Sequence, residues 1–386
     1  MSTTIALPRV MRVGGGALRD IGDLVAGLGV HRPLVVTDAF LVGTGAAERL
    51  LTYLETAGVK PRLFDGTVPD PTTESLVAGL AALREHGADA VIGFGGGSPM
   101  DTAKALALLG TQGGQMRDYK APTDNVGPAL PIIAVPTTAG SGSEATQFTV
   151  ISDSETNEKM LCPGLAFLPL AAVIDHELTE SMPPRLTADT GVDALTHAVE
   201  AYVSRKANPF ADSLALVAIG TIGRVLRRVY ADGSDVDARA EMMLAATQAG
   251  IAFSNSSVAL VHGMSRPLGA HFHVAHGLSN AMLFPAVTAF SVDAAPARYA
   301  DCARALRVAR TADSDAVAAN ALVEGLDELC ADVEVPTPRQ YGIDKARWDE
   351  LIPLMAEQAL ASGSPANNPR VPTDAEIRDL YAQIYG

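Results

Sequence analysis

The chain has 386 residues, more than one compact core of ordinary size holds, so two domains are expected. Its 48% hydrophobic and 19% charged content excludes a disordered or fibrous protein. A formal net charge of −15 argues against nucleic acid or an anionic membrane surface as partner, since both require a basic face.

The opening stretch, MSTTIALPRVMRVGGGALRD, has scattered charges and no apolar core of signal-peptide length, so it reads as the start of the fold. No run approaches the roughly 18 apolar residues of a membrane helix, and no membrane partner is expected. Cys162, Cys302 and Cys330 are odd in number, unrelated in spacing and free of any CxxC pair. They read as packing residues of a protein in a reducing cytoplasm.

The first half alternates. RPLVVTDA (32–39) is a short apolar strand, ERLLTYLETAGV (48–59) has helical spacing, PRLFDG follows, and SLVAGLAALREHGA (75–88) is a second helix. DAVIGFGGG (89–97) reads as a buried strand, PMDTAKALALLG (99–110) as a third helix, and PIIAVPTT (131–138) as another strand ending in a polar turn. Strands alternating with helices predict a parallel sheet covered on both faces. From about Pro183 the texture changes to apolar residues at three- and four-residue spacing, as in TADTGVDALTHAVEAYVS, DSLALVAIGTIGRVLRRVY, ARAEMMLAATQAGIAFSN and PARYADCARALRVA. ASGSPANNPRVP (361–372) reads as a polar loop before a last helix. The expected organisation is an α/β domain over 1–181 and an all-α domain over 182–386, divided at Ser181 and the MPPR turn.

Chemistry concentrates in a few places. GFGGGSPMDTAK runs from a strand through Gly95, Gly96, Gly97 and Ser98 into a helix with Pro99 in its first turn. Glycines let backbone approach a pyrophosphate, and the helix N-terminus offers free N–H groups. The plain alternative is a tight turn without a ligand, and the pattern is not the GxGxxG of a standard Rossmann fingerprint. PTTAGSGSEAT (136–146) adds hydroxyls and amides after another strand. Asp38, ending VVTD, is placed to accept from a ribose diol and to repel a 2′-phosphate, which favours NAD over NADP; the alternative is a simple helix cap.

DALTH sets Asp193 and His197 four apart on one helical face. VHGMSRPLGAHFHVAHG supplies His262 and His276, with His271 and His273 between, so that five of the eight histidines lie in two short segments. One carboxylate and three neutral imidazoles suit Fe(II) or Zn(II). Taken singly, each histidine is as well explained as an ordinary core or surface residue.

In this order and spacing GGGSPMDTAK, PTTAGSGSEAT, DALTHAVEAYVS and HGMSRPLGA…HG resemble the iron-containing (group III) alcohol dehydrogenases, over essentially the whole chain and including the PDPT turn at 69–72. The resemblance implies an N-terminal dinucleotide-binding α/β domain, a helical C-terminal domain and an active site in the cleft between them. It implies that Asp193, His197, His262 and His276 bind the metal. It places Asp38, Asp70, Gly96, Gly97, Ser98, Asp101, Thr137, Thr138, Thr146 and Lys159 around NAD, with Asp70 standing where the family has Asn. It also implies a homodimer or higher homo-oligomer.

Two departures stand out. Where the family reads HGMAHPLGA, with a second histidine suggested to relay protons or shape the substrate site, this chain has Arg266; and Ala275 replaces a proline before the last ligand. Arginine is no acid or base near neutral pH, but its fork suits a carboxylate, sulfonate or phosphonate. The expected reaction is hydride transfer between the nicotinamide and a small primary alcohol or aldehyde, with the metal as Lewis acid. The proton would come from water at the metal, a ribose hydroxyl, His271 or His273. The candidate catalytic set is therefore Asp193, His197, His262 and His276 with Arg266 and His271. The alternatives are reduction of an acidic aldehyde through Arg266, the zinc-dependent glycerol-dehydrogenase and dehydroquinate-synthase branch, a metal-free maleylacetate-reductase-like enzyme, and a non-enzymatic metal-binding protein.

Overall fold

The computed structural model describes residues 3–156 and 158–386. The chain forms two compact units, one of Ile5–Thr138 and Gly142–Glu180, the other built on Ser181–Gly386 with the short stretch Ala139–Ser141.

The first unit holds strands β1 (Val10–Val13), β2 (Pro33–Val36), β3 (Arg62–Phe64), β4 (Ala90–Gly95), β5 (Ile132–Pro136), β6 (Phe148–Ser152), β7 (Lys159–Pro163) and β8 (Ala171–Ile174). Its helices are α1 (Ile21–Gly27), α2 (Ala39–Gly43), α3 (Ala46–Thr56), α4 (Leu76–His86) and α5 (Gly97–Gln112). Six strands pair in parallel in the order β1-β8-β5-β4-β2-β3, while β6 and β7 form a separate antiparallel pair. Side chains of a strand alternate between faces, so both faces of the central strands need covering. Val35, Ile92, Phe94, Ile133 and Val135 pack with Leu24, Leu50 and Leu54 of α1 and α3. Leu34, Val36, Val91 and Ile132 pack on the opposite face with Leu76, Leu83 and Leu106 of α4 and α5.

The expected parallel α/β sheet is present, with β2, β4 and β5 where the apolar runs lie. The two edge strands carry no such signal, and the apolar, fully buried β8 was not picked out as a strand from the sequence. In β1 three of the four residues are exposed, and β3 has only three residues. An edge strand has no second neighbour and needs no long apolar run.

The second unit is helical: α6 (Pro184–Val203), α7 (Pro209–Ala231), α8 (Val236–Ser254), α9 (Leu260–Phe272), α10 (His276–Ser291), α11 (Pro296–Leu306), α12 (Asp315–Asp332), α13 (Pro338–Tyr341), α14 (Lys345–Ala361) and α15 (Asp374–Ile384). Caps mark several starts: Asn208, Asp235, Ser314 and Thr373 each accept a backbone N–H of the following helix. α6 is buried on almost every side from Thr187 to Val203, and α7, α8 and α10 pack around it. One expectation is corrected here. α7 does reach the length and mean hydropathy (1.4) of a membrane span. Its buried stripe of Ala211, Ala215, Ile219, Ile222, Leu226 and Val229 faces the other helices, as a core helix of this layer. The 361–372 segment is less solvated than its polarity suggests: Ser364, Pro365 and Asn368 are buried, and Pro365 lies where a Cβ on Gly263 of α9 would come within 2.7 Å. All three cysteines are buried free thiols, and burial pushes Cys162 and Cys330 up to about 12.

The turn from β4 into α5 depends on glycine. Gly95 has φ +149, and a Cβ there would lie 2.5 Å from Pro99 Cγ. Gly95→Ala should therefore lower stability by about 1–3 kcal/mol, whereas Gly27→Ala at the end of α1, with nothing within 4 Å, should shift it by less than about 1 kcal/mol. Thermal melting of the two variants reads the difference, and equal midpoints would show that the turn tolerates a side chain.

Candidate functional site

In the helical unit, α6 presents Asp193, His197 and Glu200 at four- and three-residue steps, the spacing of one helical face. α9 adds His262 in its first turn, and α10 begins at His276. The donor atoms of Asp193, His197, His262 and His276 all lie within 4.8 Å of one another. Asp193 Oδ1 is 3.8 Å from His197 Nε2, 3.6 Å from His262 Nε2 and 4.0 Å from His276 Nε2. Asp193, His197 and His262 are buried, whereas the His276 side chain is 43% exposed. His197 is stacked between the His262 ring at 4.5 Å and the Phe253 ring at 4.3 Å.

Two residues not anticipated from the sequence complete this cluster. Glu200 accepts from Ala259 N at 2.9 Å and Val261 N at 2.6 Å, and its other contact, at 2.6 Å, is His262 Nδ1. With Nδ1–H donated to Glu200, His262 presents the Nε2 lone pair to the cluster. Asn280, one turn along α10 from His276, donates through Nδ2 to Asp193 Oδ1 at 2.6 Å and lies 3.1 and 3.2 Å from Nε2 of His262 and His276. An amide has two N–H groups for these three acceptors, and its own Oδ1 is buried without a partner. The centre thus has more electron pairs than the protein can answer, which is the donor chemistry of a divalent cation with nitrogen and oxygen ligands.

The electrostatics show the same demand for positive charge, answered by a second proton on His262 that a metal would displace. Burial opposes the charge on Asp193, but His197, His276 and His262 outweigh it and hold the carboxyl well below the usual range. Burial pulls His197 down to about 4, whereas Glu200 and Asp193 overcome burial at His262 and lift it to about 9. Gly277 lets α10 start this close: a Cβ there would sit 2.6 Å from the Asp189 carbonyl oxygen.

His271 is not brought to this cluster. Nine residues past His262 it falls on the opposite side of α9, where its Nε2 is 2.8 Å from Gln358 Oε1 of α14. His273 is exposed at the end of α9 with φ +54. Arg266, one turn past His262, is partly buried and donates through Nη1 to Ser364 Oγ at 3.1 Å. Burial pulls it down to about 10, against the Glu200 charge.

In the α/β unit the remaining candidates gather at the C-terminal ends of neighbouring strands. Asp38 follows β2 and caps α2, accepting from Leu41 N at 3.0 Å through Oδ1. Gly96 is the N-cap of α5, Gly97 its first residue and Ser98 its second. Thr137 N donates to Gly95 O at 2.9 Å, and a Cβ on Gly96 would meet Thr138 Cγ2 at 3.4 Å. The chain goes from β2 outward to β3, returns to β4 on the other side of β2 and continues to β5. Strand order therefore reverses between β2 and β4, the place where open α/β sheets bind ligands. Asp70 adopts φ +49, which Asp and Asn both tolerate, and it accepts from Lys159 Nζ at 2.8 Å.

Thr146 and Asp101 are engaged inside the unit. Lys104 of α5, fully buried, donates to Thr146 Oγ1, Thr146 O and Phe148 O at 2.8–3.0 Å. Asp101 accepts from Val150 N at 3.3 Å and Ser143 Oγ at 3.4 Å. Burial raises Asp101 to about 6 against Lys104, and lowers Lys104 to about 8 against Asp101. Lys104 was legible only as the last residue of GGGSPMDTAK.

Comparison with known proteins agrees with both units. A family model described as iron-containing alcohol dehydrogenase matches residues 8–176, and one described as the C-terminal part of the Fe-containing alcohol dehydrogenase family matches 187–385. The chain is 38% identical over 384 residues to lactaldehyde reductase of Escherichia coli (strain K12), covering 99% of each. It is 34% identical over 379 residues to NAD-dependent methanol dehydrogenase of Bacillus methanolicus, covering 98% of each. A solved structure of 1,3-propanediol oxidoreductase superposes with a TM-score of 0.95 at 36% identity, covering 100% of both chains. A donor cluster of one carboxylate and three imidazoles, a glycine cradle at the sheet's reversal point and these matches over both units lead to one conclusion: the chain belongs to the iron-containing alcohol dehydrogenase family.

Proposed function

We propose that the protein is a metal-dependent NAD(H) oxidoreductase that interconverts a small primary alcohol and its aldehyde. The observation that carries this reading is the convergence of Asp193, His197, His262 and His276 on one point. These four would hold a divalent metal, Fe(II) or Zn(II). When bound, the metal supplies Lewis acidity toward the substrate oxygen, and NAD supplies the two-electron hydride chemistry.

The protein's own groups do the rest. With one carboxylate among four donors, a divalent ion held there would leave the donor set net cationic, which would favour an oxygen on which negative charge develops. Glu200 fixes the His262 ring and its tautomer, and Asn280 holds the Asp193 oxygen in one orientation. Burial of three of the four ligands keeps bulk water from competing. In the α/β unit the free N–H groups at the start of α5, beside Gly96, Gly97 and Ser98, receive the pyrophosphate, with Thr137 and Thr138 alongside. Asp38 caps α2 with one oxygen and keeps the other for a ribose hydroxyl. Asp70 and Lys159 form a neighbouring ion pair for the cofactor. Thr146 and Asp101 act indirectly, Thr146 by accepting from Lys104 and Asp101 by accepting from Ser143 Oγ and Val150 N, so that both tie the cradle helix to the segment from Ser143 to Val150. A cytoplasmic setting is part of this reading, supported by three buried, unbridged thiols.

The direct test is nicotinamide absorbance with a panel of aldehydes, with and without chelator. His262→Ala and His276→Ala should each lose bound metal by elemental analysis and nearly all turnover while the fold persists. Full turnover without metal in either variant would sink the assignment. Glu200→Gln should weaken metal affinity about 10- to 100-fold, because His262 loses its charged acceptor; competition against a metallochromic chelator measures this, and unchanged affinity would reduce Glu200 to a helix cap. Asp38→Gly should narrow the NADH-to-NADPH ratio of kcat/KM, since the carboxylate no longer repels a 2′-phosphate. An unchanged ratio would leave Asp38 as the cap of α2 alone.

A further inference from the structure

Arg266 has surroundings unusual for a cation. Its guanidinium carries five N–H donors; one goes to Ser364 Oγ, and among the described residues no carboxylate forms an ion pair with it. The other arginines of the helical unit that are not exposed are answered from within it. Arg298 pairs with both oxygens of Asp212 and with Tyr202 O, Arg185 pairs with Asp189, and Arg239 donates to Gly233 O and Met182 O. The opposing charge that acts on Arg266 is Glu200, whose oxygens already serve Ala259 N, Val261 N and His262 Nδ1.

A partly buried cation without a counter-ion is costly, and an anion arriving from outside would relieve that cost. Position says which anion. Four residues along α9 place Arg266 on the same side as His262, about 6 Å further along the axis. An anionic group held there would lie within a few bonds' reach of the donor cluster. The guanidinium fork matches the paired oxygens of a carboxylate or sulfonate, with Ser364 holding one of its edges.

We propose that the substrates of this enzyme are short aldehydes with a distal carboxylate, sulfonate or phosphonate, and that Arg266 holds that anion. The proposal rests on the aldehyde-reductase reading of the metal centre. The reaction is RCHO + NADH + H+ → RCH2OH + NAD+, in which two electrons and one proton move as hydride, solvent supplies the second proton, and the anion is unaltered.

The experiment compares 4-oxobutanoate with butanal, two four-carbon aldehydes, on metal-loaded wild type, Arg266→Gln and Arg266→Lys of verified metal content. Wild type should prefer 4-oxobutanoate in kcat/KM. Arg266→Gln should lower that preference at least tenfold, chiefly through KM, and Arg266→Lys should restore part of it. Succinate, which cannot react, should raise the melting temperature of wild type saturably and not that of Arg266→Gln. Preference of wild type for butanal overturns the proposal. So does an equal loss with both aldehydes, which would make Arg266 a counter-charge for Glu200. A rise in the KM for NADH in place of the aldehyde effect also overturns it, since the anion would then be a cofactor phosphate. If wild type reduces neither aldehyde, the aldehyde-reductase reading fails first, and the succinate shift alone decides whether Arg266 is an anion site.

Discussion

A carboxylate taken out of water costs several kcal/mol unless positive charge answers it, and much of the helical unit is arranged around that demand at Asp193. The residue sits mid-way along a helix buried on almost every side. Its field is met by three imidazoles from α6, α9 and α10 and by the Asn280 amide. Bringing three helices that close needs small residues at the crossings. Gly277 meets the Asp189 backbone where α10 crosses α6, while Gly191 admits Leu226 of α7 and Gly263 admits Pro365 behind them. The glycines and the charges are thus one design: closeness lets four donors share a point, and the shared point makes closeness favourable once a cation is there.

The α/β unit solves a different problem, which is to hold dense negative charge without a cluster of basic side chains. Backbone does it. The strand order reverses between β2 and β4, and α5 starts with glycines at the C-terminal end of β4. Lys104, wholly buried, ties α5 to the segment that follows Ser143. Such a residue stiffens the cradle from behind and adds a positive charge beneath it.

Much of this was legible in the sequence because periodicity and spacing are local. VVTD, VIGFGGG and IIAVP announce strands buried on both faces, and DALTH announces two side chains on one helical face. What was not legible is where distant segments meet. Nothing local to β1 or β8 says that they pair at one side of the sheet. Glu200 and Asn280 lie one turn from His197 and His276, a spacing visible in the sequence. Their roles appear only when the N-terminus of α9 closes over one and the Asp193 carboxylate over the other. His271 shows the converse error: a histidine near the ligands in sequence is carried by helical phase to Gln358.

The unequal exposure of the ligands bears on how an ion enters and leaves. Asp193, His197 and His262 are buried, while His276, at the first turn of its own helix, is 43% exposed. It is the donor that solvent reaches, so a chelator or an incoming aquo ion would meet the site there first. Simple affinity for nitrogen ligands rises from iron toward copper and does not by itself choose iron. With donors that suit several divalent ions, the supply at the moment of loading would then bear on which ion the four residues hold.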